Sequence, residues 1–140
     1  MIEPLGKEDA RALLGAQRYG RLGCCHDGEP YVLPINYFYN GEDLYMHSLA
    51  GLKIRAMREN PQICLQVDEV TDDYNWRSVI AFGEYEEITE PEERERMMAS
   101  LLQRFPHLTP VESRMSQGED EIVVFRLRIK RITGVSEHWQ

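Results

Sequence analysis

His47, Ser48, Lys53 and Arg55 all fall in one short stretch, "LYMHSLAGLKIRAMRENP", which runs from Leu44 to Pro61. The stretch reads as a strand that stops abruptly, a loop of small residues and then a helix. Lys53 and Arg55 occupy the first turn of that helix and Glu59 the last. The peptide dipole favours the reverse placement, by a few tenths up to about 1 kcal/mol per charge. A helix N-terminus also presents backbone N–H groups with no acceptor inside the helix, which makes it a ready seat for a phosphate. Lys53, and Arg55 with it, fits that end if a doubly charged phosphate is the intended occupant. His47 and Ser48 would add imidazole and hydroxyl donors, and Ala50 and Gly51 would let a ligand approach the backbone. The plainer alternative is a strand, loop and helix with two solvated cations. The glycine spacing and Lys-Ser/Thr ending of a P-loop are absent.

Other chemistry-bearing residues carry less. Cys24, Cys25 and His26 resemble a metal-binding run, but neighbours on a strand point to opposite faces, so both thiols cannot readily reach one ion. Buried, inert cysteines are the expectation, and no metal site is expected. His107 and His138 have no partner at ligand spacing and are expected at the surface. The acidic run "DEVTDD" lacks the glycine and closing glutamate of a calcium loop and reads as a solvated turn. No nucleophile elbow is present. Trp76, at a strand start, fits core or interface. Arg126, Arg128 and Lys130 form a basic strand face, solvated or paired with the many carboxylates.

The elements that must position these residues are legible from turn chemistry and periodicity. "GKEDARALLGAQRYG" places Ala10, Leu13 and Leu14 at helical spacing between glycines. Asp27-Gly28 and Asn40-Gly41 supply the positive φ angles of tight hairpins, so "RLGCC", "PYVLPINYFY" and "DLYMHS" are expected as three consecutive antiparallel strands. Pro34, inside the middle run, marks a bulge or an edge. The helix from Leu52 to Asn60, with Ile54 and Met57 on one side, ends before Pro61. "QICLQVDEV" alternates Ile63, Leu65 and Val67 against Cys64, Gln66 and Asp68. "WRSVIAFGEYEEI" is a long strand with a kink at Gly83. "EPEERERMMASLLQRF" starts a helix with proline and acidic residues, and its apolar face is Met97, Met98, Leu101 and Phe105. "EIVVFRLRIKRI" alternates Val123, Phe125, Leu127 and Ile129 against Arg126, Arg128 and Lys130, as a half-buried strand does. About six strands and three helices, opening on hairpins, make a mainly β (α+β) fold: an antiparallel barrel with helices packed outside.

The chain has 140 residues, 42% of them apolar, so a single globular domain over residues 1–140 is expected. With 16 basic and 24 acidic residues the net charge is −8, which argues against binding a phosphate backbone. No apolar run is long enough to span a membrane, and the start reads as no secretory signal. Three cysteines make no disulfide framework, which points to a reducing cytoplasm.

Taken together, "YGRLGC", "GEPYVLPINYFYNGEDLYMHSLAGLKIRAMRENPQICLQVDE", "WRSVIAFGEYEEI" and the "EERERMMASLLQRF" helix resemble the pyridoxamine 5′-phosphate oxidase-like FMN-binding split barrels, specifically the small branch that includes nitroimidazole-resistance proteins. The resemblance covers most of residues 19 to 105. It implies a homodimer with the flavin in a cleft between subunits and its phosphate held by the strand-loop-helix. Pro34, Ile35 and Asn36 would then run along the isoalloxazine ring, largely through backbone. His47 and Ser48 match positions beside the ribityl chain and phosphate, Lys53 matches the phosphate lysine, and Ser78 matches a polar flavin contact. Leu52 stands where the full-length oxidases carry an arginine that also grips the phosphate. The oxidases' basic C-terminal segment has no counterpart at "TGVSEHWQ", so the oxidase reaction itself is not expected. The implied activity is flavin-dependent reduction of a small flat substrate, such as a nitro-aromatic or quinone, with a reduced nicotinamide as donor. His47 would serve as proton donor or as a structural hydrogen-bonding group. The alternative is a non-enzymatic carrier of flavin or haem, since relatives in the superfamily bind haem or deazaflavin in place of FMN.

Overall fold

The computed structural model describes residues 1–104 and 122–139. Helix α1 (Lys7–Ala16) buries the expected Ala10, Leu13 and Leu14. The hairpin of β2 (Tyr19–His26) and β3 (Glu29–Asn36) turns on Asp27 and Gly28, at φ 50° and 79°. That pair of positive φ angles matches the right-handed twist of the flanking strands.

The middle run does not continue as one strand, and this corrects the expected three-strand meander. It breaks at Tyr37, which is fully buried and donates its hydroxyl to the Leu14 carbonyl at 2.5 Å. Beyond the break, β4 (Phe38–Tyr39) pairs with β5 (Leu44–Leu49) across the Asn40-Gly41 turn. Asn40 holds that turn by accepting from the Glu42 and Asp43 N–H groups at 2.9 and 2.8 Å. β3 pairs with β2 alone, so Pro34 marks an edge and no bulge interrupts the β2–β3 register.

Helix α2 (Leu52–Glu59) packs Ile54, Ala56 and Met57 into the core and lies against β2. It is followed by β6 (Gln62–Asp72), β7 (Asn75–Glu87), α3 (Pro91–Arg104) and β8 (Ile122–Glu137). The sheet order is β3-β2-β6-β7-β8-β5-β4, with β1 (Ile2–Pro4) paired to the far end of β8. Strands β3 and β4 stand at opposite ends of this order yet are joined by Tyr37 alone, so the sheet curls into a barrel that is split rather than closed. Among the described residues the strands number eight, the six expected plus β1 and the short β4.

Ile63, Leu65 and Val67 face inward as the alternation predicts. Gly83 marks a register shift, and a Cβ there would sit 2.0 Å from the Arg128 carbonyl oxygen. β8 departs from the half-buried pattern at its start. Ile122 and Val124 are buried as well as Val123 and Phe125, because Met97 and Met98 of α3 cover the outer face around Val124. Leu101 is buried as expected, while Phe105 and His107 lie outside the described residues. Among the described residues no helix is long and apolar enough to cross a membrane.

Candidate functional site

Helix α2 begins at Gly51, which provides no side-chain cap, and its first turn holds no acidic residue. The first intrahelical bond runs from the Arg55 N–H to the Gly51 carbonyl at 3.0 Å. Helix geometry leaves the preceding N–H groups directed out of the helix end. A Cβ at Gly51 would meet only the Leu49 carbonyl, at 4.0 Å, so the space before the helix is open to a ligand. Lys53 is half-buried beside this end and Leu52 is 37% exposed. Burial pushes the Cys24 thiol pKa up, with the Cys25 and Cys64 thiols adding to the rise and the Lys53 charge opposing it. That coupling puts the Lys53 ammonium close to β2.

The strand entering this junction sends its last residues to alternating sides. Ser48 is buried and its hydroxyl donates to the Leu49 carbonyl at 2.9 Å. His47 points to the opposite, outer face, across from Val124 of β8, and is half-buried. The two side chains therefore do not converge on one point.

The free edge of β3 supplies a second element. The two-residue turn makes His26 and Glu29 a hydrogen-bonded pair, and such pairs alternate along an antiparallel ladder. Tyr31, Leu33 and Ile35 then bond toward β2, in phase with the Tyr37 N–H donating to the Arg18 carbonyl at 3.3 Å. Pro30, Val32, Pro34 and Asn36 direct their backbone groups outward. Since prolines carry no N–H, this edge offers four carbonyls but only the Val32 and Asn36 N–H groups. Such an edge resists pairing with another strand while leaving a sparse set of donors and acceptors for a flat polar ring. Ile35 is buried, so its side chain packs in the core and only its backbone remains near the edge.

A polar row crosses the outer face from this edge. Pro34 pairs with Arg21, and Arg21 with Gln66. The Gln66 amide donates to the Ser78 hydroxyl at 3.0 Å and to the Asp68 carboxylate at 3.1 Å, and Arg21 reaches the same carboxylate at 3.2 Å. Pro34, Asn36 and Ser78 thus share one face in the β3–β2–β6–β7 half of the barrel. His47, Ser48, Leu52 and Lys53 gather at the β5–α2 junction, where α2 lies against β2. Arg21, Gln66 and Asp68 were not visible as site residues in the sequence. Alternation puts Gln66 and Asp68 outward, but only the β2–β6 register brings Arg21 beside them.

The remaining candidates lie apart from both groups. Cys24 is buried and Cys64 half-buried, and burial pushes both thiols above their ordinary range, which keeps them protonated and unreactive. His26, Asp27 and Glu59 bring potential ligand atoms within 4.8 Å of one another at the surface, without either neighbouring cysteine. The "DEVTDD" run corrects the expected solvated turn: Asp68 to Asp72 pair with β7 as the end of β6. Only beyond them does a turn begin, capped by Asp72 accepting from the Tyr74 N–H, which holds its carboxyl below the usual range. Trp76 is half-buried and donates its indole N–H to Glu137 at 2.9 Å. His138 is exposed. Arg126, Arg128 and Lys130 pair with Glu86, Glu93 and Glu84 as the charge count suggests.

Residues 6–136 match the family model described as pyridoxamine 5′-phosphate oxidase. An uncharacterized protein of Rhizobium meliloti (strain 1021) is 34% identical over 142 residues, covering 95% of this chain and 93% of its own. The crystal structure of a Mesorhizobium loti protein described as FAD-binding superposes with a TM-score of 0.80 at 32% identity, covering 99% of this chain and 98% of that one. A Bacteroides thetaiotaomicron protein whose name assigns it to 5-nitroimidazole antibiotic resistance gives 0.75 at 18% identity, over 97% and 87% of the two chains, a likeness of fold.

Proposed function

The chain belongs to the pyridoxamine 5′-phosphate oxidase family, and on that premise we propose that it is an FMN-binding oxidoreductase that reduces small flat substrates. The first turn of α2 carries the reading. It combines a bare glycine cap, open space and a half-buried lysine, in a first turn that holds no acidic residue. That combination fits a phosphate and little else on a chain of net charge −8. The FAD-binding description of the Mesorhizobium loti protein supports a flavin as the group attached to it.

In this reading Lys53 and the α2 amides hold the phosphate, and Leu52 leaves that grip without a second cation. The edge of β3 addresses the polar rim of the ring through the Val32 and Asn36 N–H groups and the carbonyls around Pro34. The flavin supplies two-electron transfer; the protein supplies orientation and electrostatics. His47, half-buried on the outer side of β5, holds or delivers a proton at an imidazole nitrogen. A reduced nicotinamide is the electron donor.

The two groups of site residues stand on different elements, the β3–β2–β6–β7 face and the β5–α2 junction. A homodimer resolves this if the Ser78 row of one copy faces the α2 junction of the other. The exposed Tyr19, Tyr31 and Val32 beside β3 are the surface such a copy would cover. Purified protein is expected to be yellow, to contain about one FMN per chain and to consume reduced nicotinamide in the presence of a quinone or nitro-aromatic. A colourless protein that added FMN does not stabilise against heat would overturn the reading. Bound flavin without turnover would leave a carrier.

A further inference from the structure

Among the described residues, Lys7, Arg11 and Arg131 line one cleft of about 560 Å³ and none of them pairs with a carboxylate. Among the described residues Lys7 is exposed and makes no hydrogen bond, Arg11 donates to the Tyr39 hydroxyl at 3.3 Å, and the Arg131 guanidinium lies over the Phe82 ring at 4.1 Å. Arg128 and Lys130 also line the cleft, with their carboxylate partners Glu86 and Glu84 on β7 outside it. On a chain with eight more acidic than basic residues, this is a local reversal of sign.

The reversal is built by the backbone. In the β7–β8 ladder Gly83 pairs with Ile129 and Phe82 with Arg131, so Lys130 is an extra residue in a bulge. The insertion shifts the alternation by one. Ile129 and Ile132 both pack on the core, and Arg128, Lys130 and Arg131 all turn outward. Bulges re-aim side chains in this way next to binding sites. Gly83 makes the bend possible, because any Cβ there would collide with the Arg128 carbonyl. Across the cleft stands the β4–β5 turn. Its Asp43 carboxylate is committed to the Ile129 N–H at 3.0 Å, while Glu42 is exposed on the rim of the cleft.

We propose that this cleft binds a small molecule carrying a diphosphate. Two guanidinium groups and an ammonium, held on a helix and a bulged strand, match a group with several closely spaced anionic oxygens. The volume exceeds what a single phosphate fills and falls in the range of small-molecule sites. Glu42 on the opposite rim suits a hydroxyl or amine on the rest of the ligand. The inference rests on the cleft alone and stands whether or not α2 holds a flavin.

The test is calorimetric titration with inorganic pyrophosphate, with orthophosphate beside it, at low and high salt. Saturable binding of pyrophosphate is expected, weaker for orthophosphate and weakened by salt. Lys7→Ala should cost about two- to fivefold and the triple variant Lys7→Ala, Arg11→Ala, Arg131→Ala roughly thirtyfold or more. Glu42→Gln should tighten binding by about twofold. Arg96→Ala, which removes an exposed cation from α3, should change nothing beyond error. Absence of saturable binding would overturn the proposal, as would undiminished binding by the triple variant. A loss in Lys53→Ala instead of the triple variant would place the anion at α2 and would equally overturn it. Should the triple variant fail to fold, the single Lys7→Ala decides, since that side chain is exposed and bonded to nothing.

Discussion

Helices α1 and α2 begin alike and then diverge. Each starts at a glycine that provides no side-chain cap, and each carries a lysine in its first turn. In α1 that lysine is followed by Glu8 and Asp9, which answer the positive end of the dipole. In α2 the first turn holds no acidic residue, and Arg55 follows Lys53. On the sheet, Arg126, Arg128 and Lys130 each find a carboxylate on β7 or α3. The chain has carboxylates to spare and places none in the first turn of α2. In our proposal that reversed charge pattern serves an external anion.

That comparison can be broken or sharpened by moving charges between the two helices. The largest effect is expected from Leu52→Glu, which gives α2 the acidic first turn that α1 has. FMN binding should weaken by roughly 3 kcal/mol through like-charge repulsion with the phosphate. Thermal melting of the flavin-free protein should move the other way, toward greater stability by about 0.3–1 kcal/mol. Opposite signs from one substitution would separate a ligand seat from a merely awkward helix start; parallel signs would erase the contrast.

Next in size is the paired face. Glu86 is held below the ordinary carboxylate range by its bond to Arg126, and Glu87 by Arg58. Their folded pKa values lie below the unfolded ones, so the stabilisation is fully present above the unfolded value, about 4.3. It is lost as pH falls toward and through the folded value. Glu86→Gln should cost about 1–2 kcal/mol at neutral pH and flatten the acid limb of a denaturation series. An unchanged acid limb would mean that the pair contributes nothing. The smallest effect is expected at α1, where Lys7→Ala should raise stability by at most about 0.3 kcal/mol. Flavin affinity should stay the same, and a measurable fall would show that the two helix starts are not functionally distinct.

Much of this arrangement was legible in the sequence because it is local. Asp27-Gly28 and Asn40-Gly41 set two turns, the spacing of Ala10, Leu13 and Leu14 set α1, and alternation set the faces of β6. The reversed charge of α2 was equally plain. What could not be read depends on distant contacts. No turn residue announces the break at Tyr37, which follows from burial of its ring and a bond to Leu14. The doubly buried start of β8 depends on α3 lying over Val124. β1 is too short for any periodicity and is ordered by pairing with β8. The row from Pro34 through Arg21 and Gln66 to Ser78 exists only once β2, β6 and β7 are in register. Ser48 and His47, adjacent in sequence at one strand end, part to opposite faces for the reason any strand neighbours do.

The measurement closest to the central claim compares FMN with riboflavin on the wild-type protein and on Lys53→Ala by calorimetric titration. The two flavins differ only in the phosphate, so the ring contacts cancel. Wild type should prefer FMN, and Lys53→Ala should lose about 1.5–3 kcal/mol for FMN with riboflavin almost unmoved. Equal affinity of the wild type for both flavins, or equal losses for both in the variant, would contradict a phosphate seat at the start of α2.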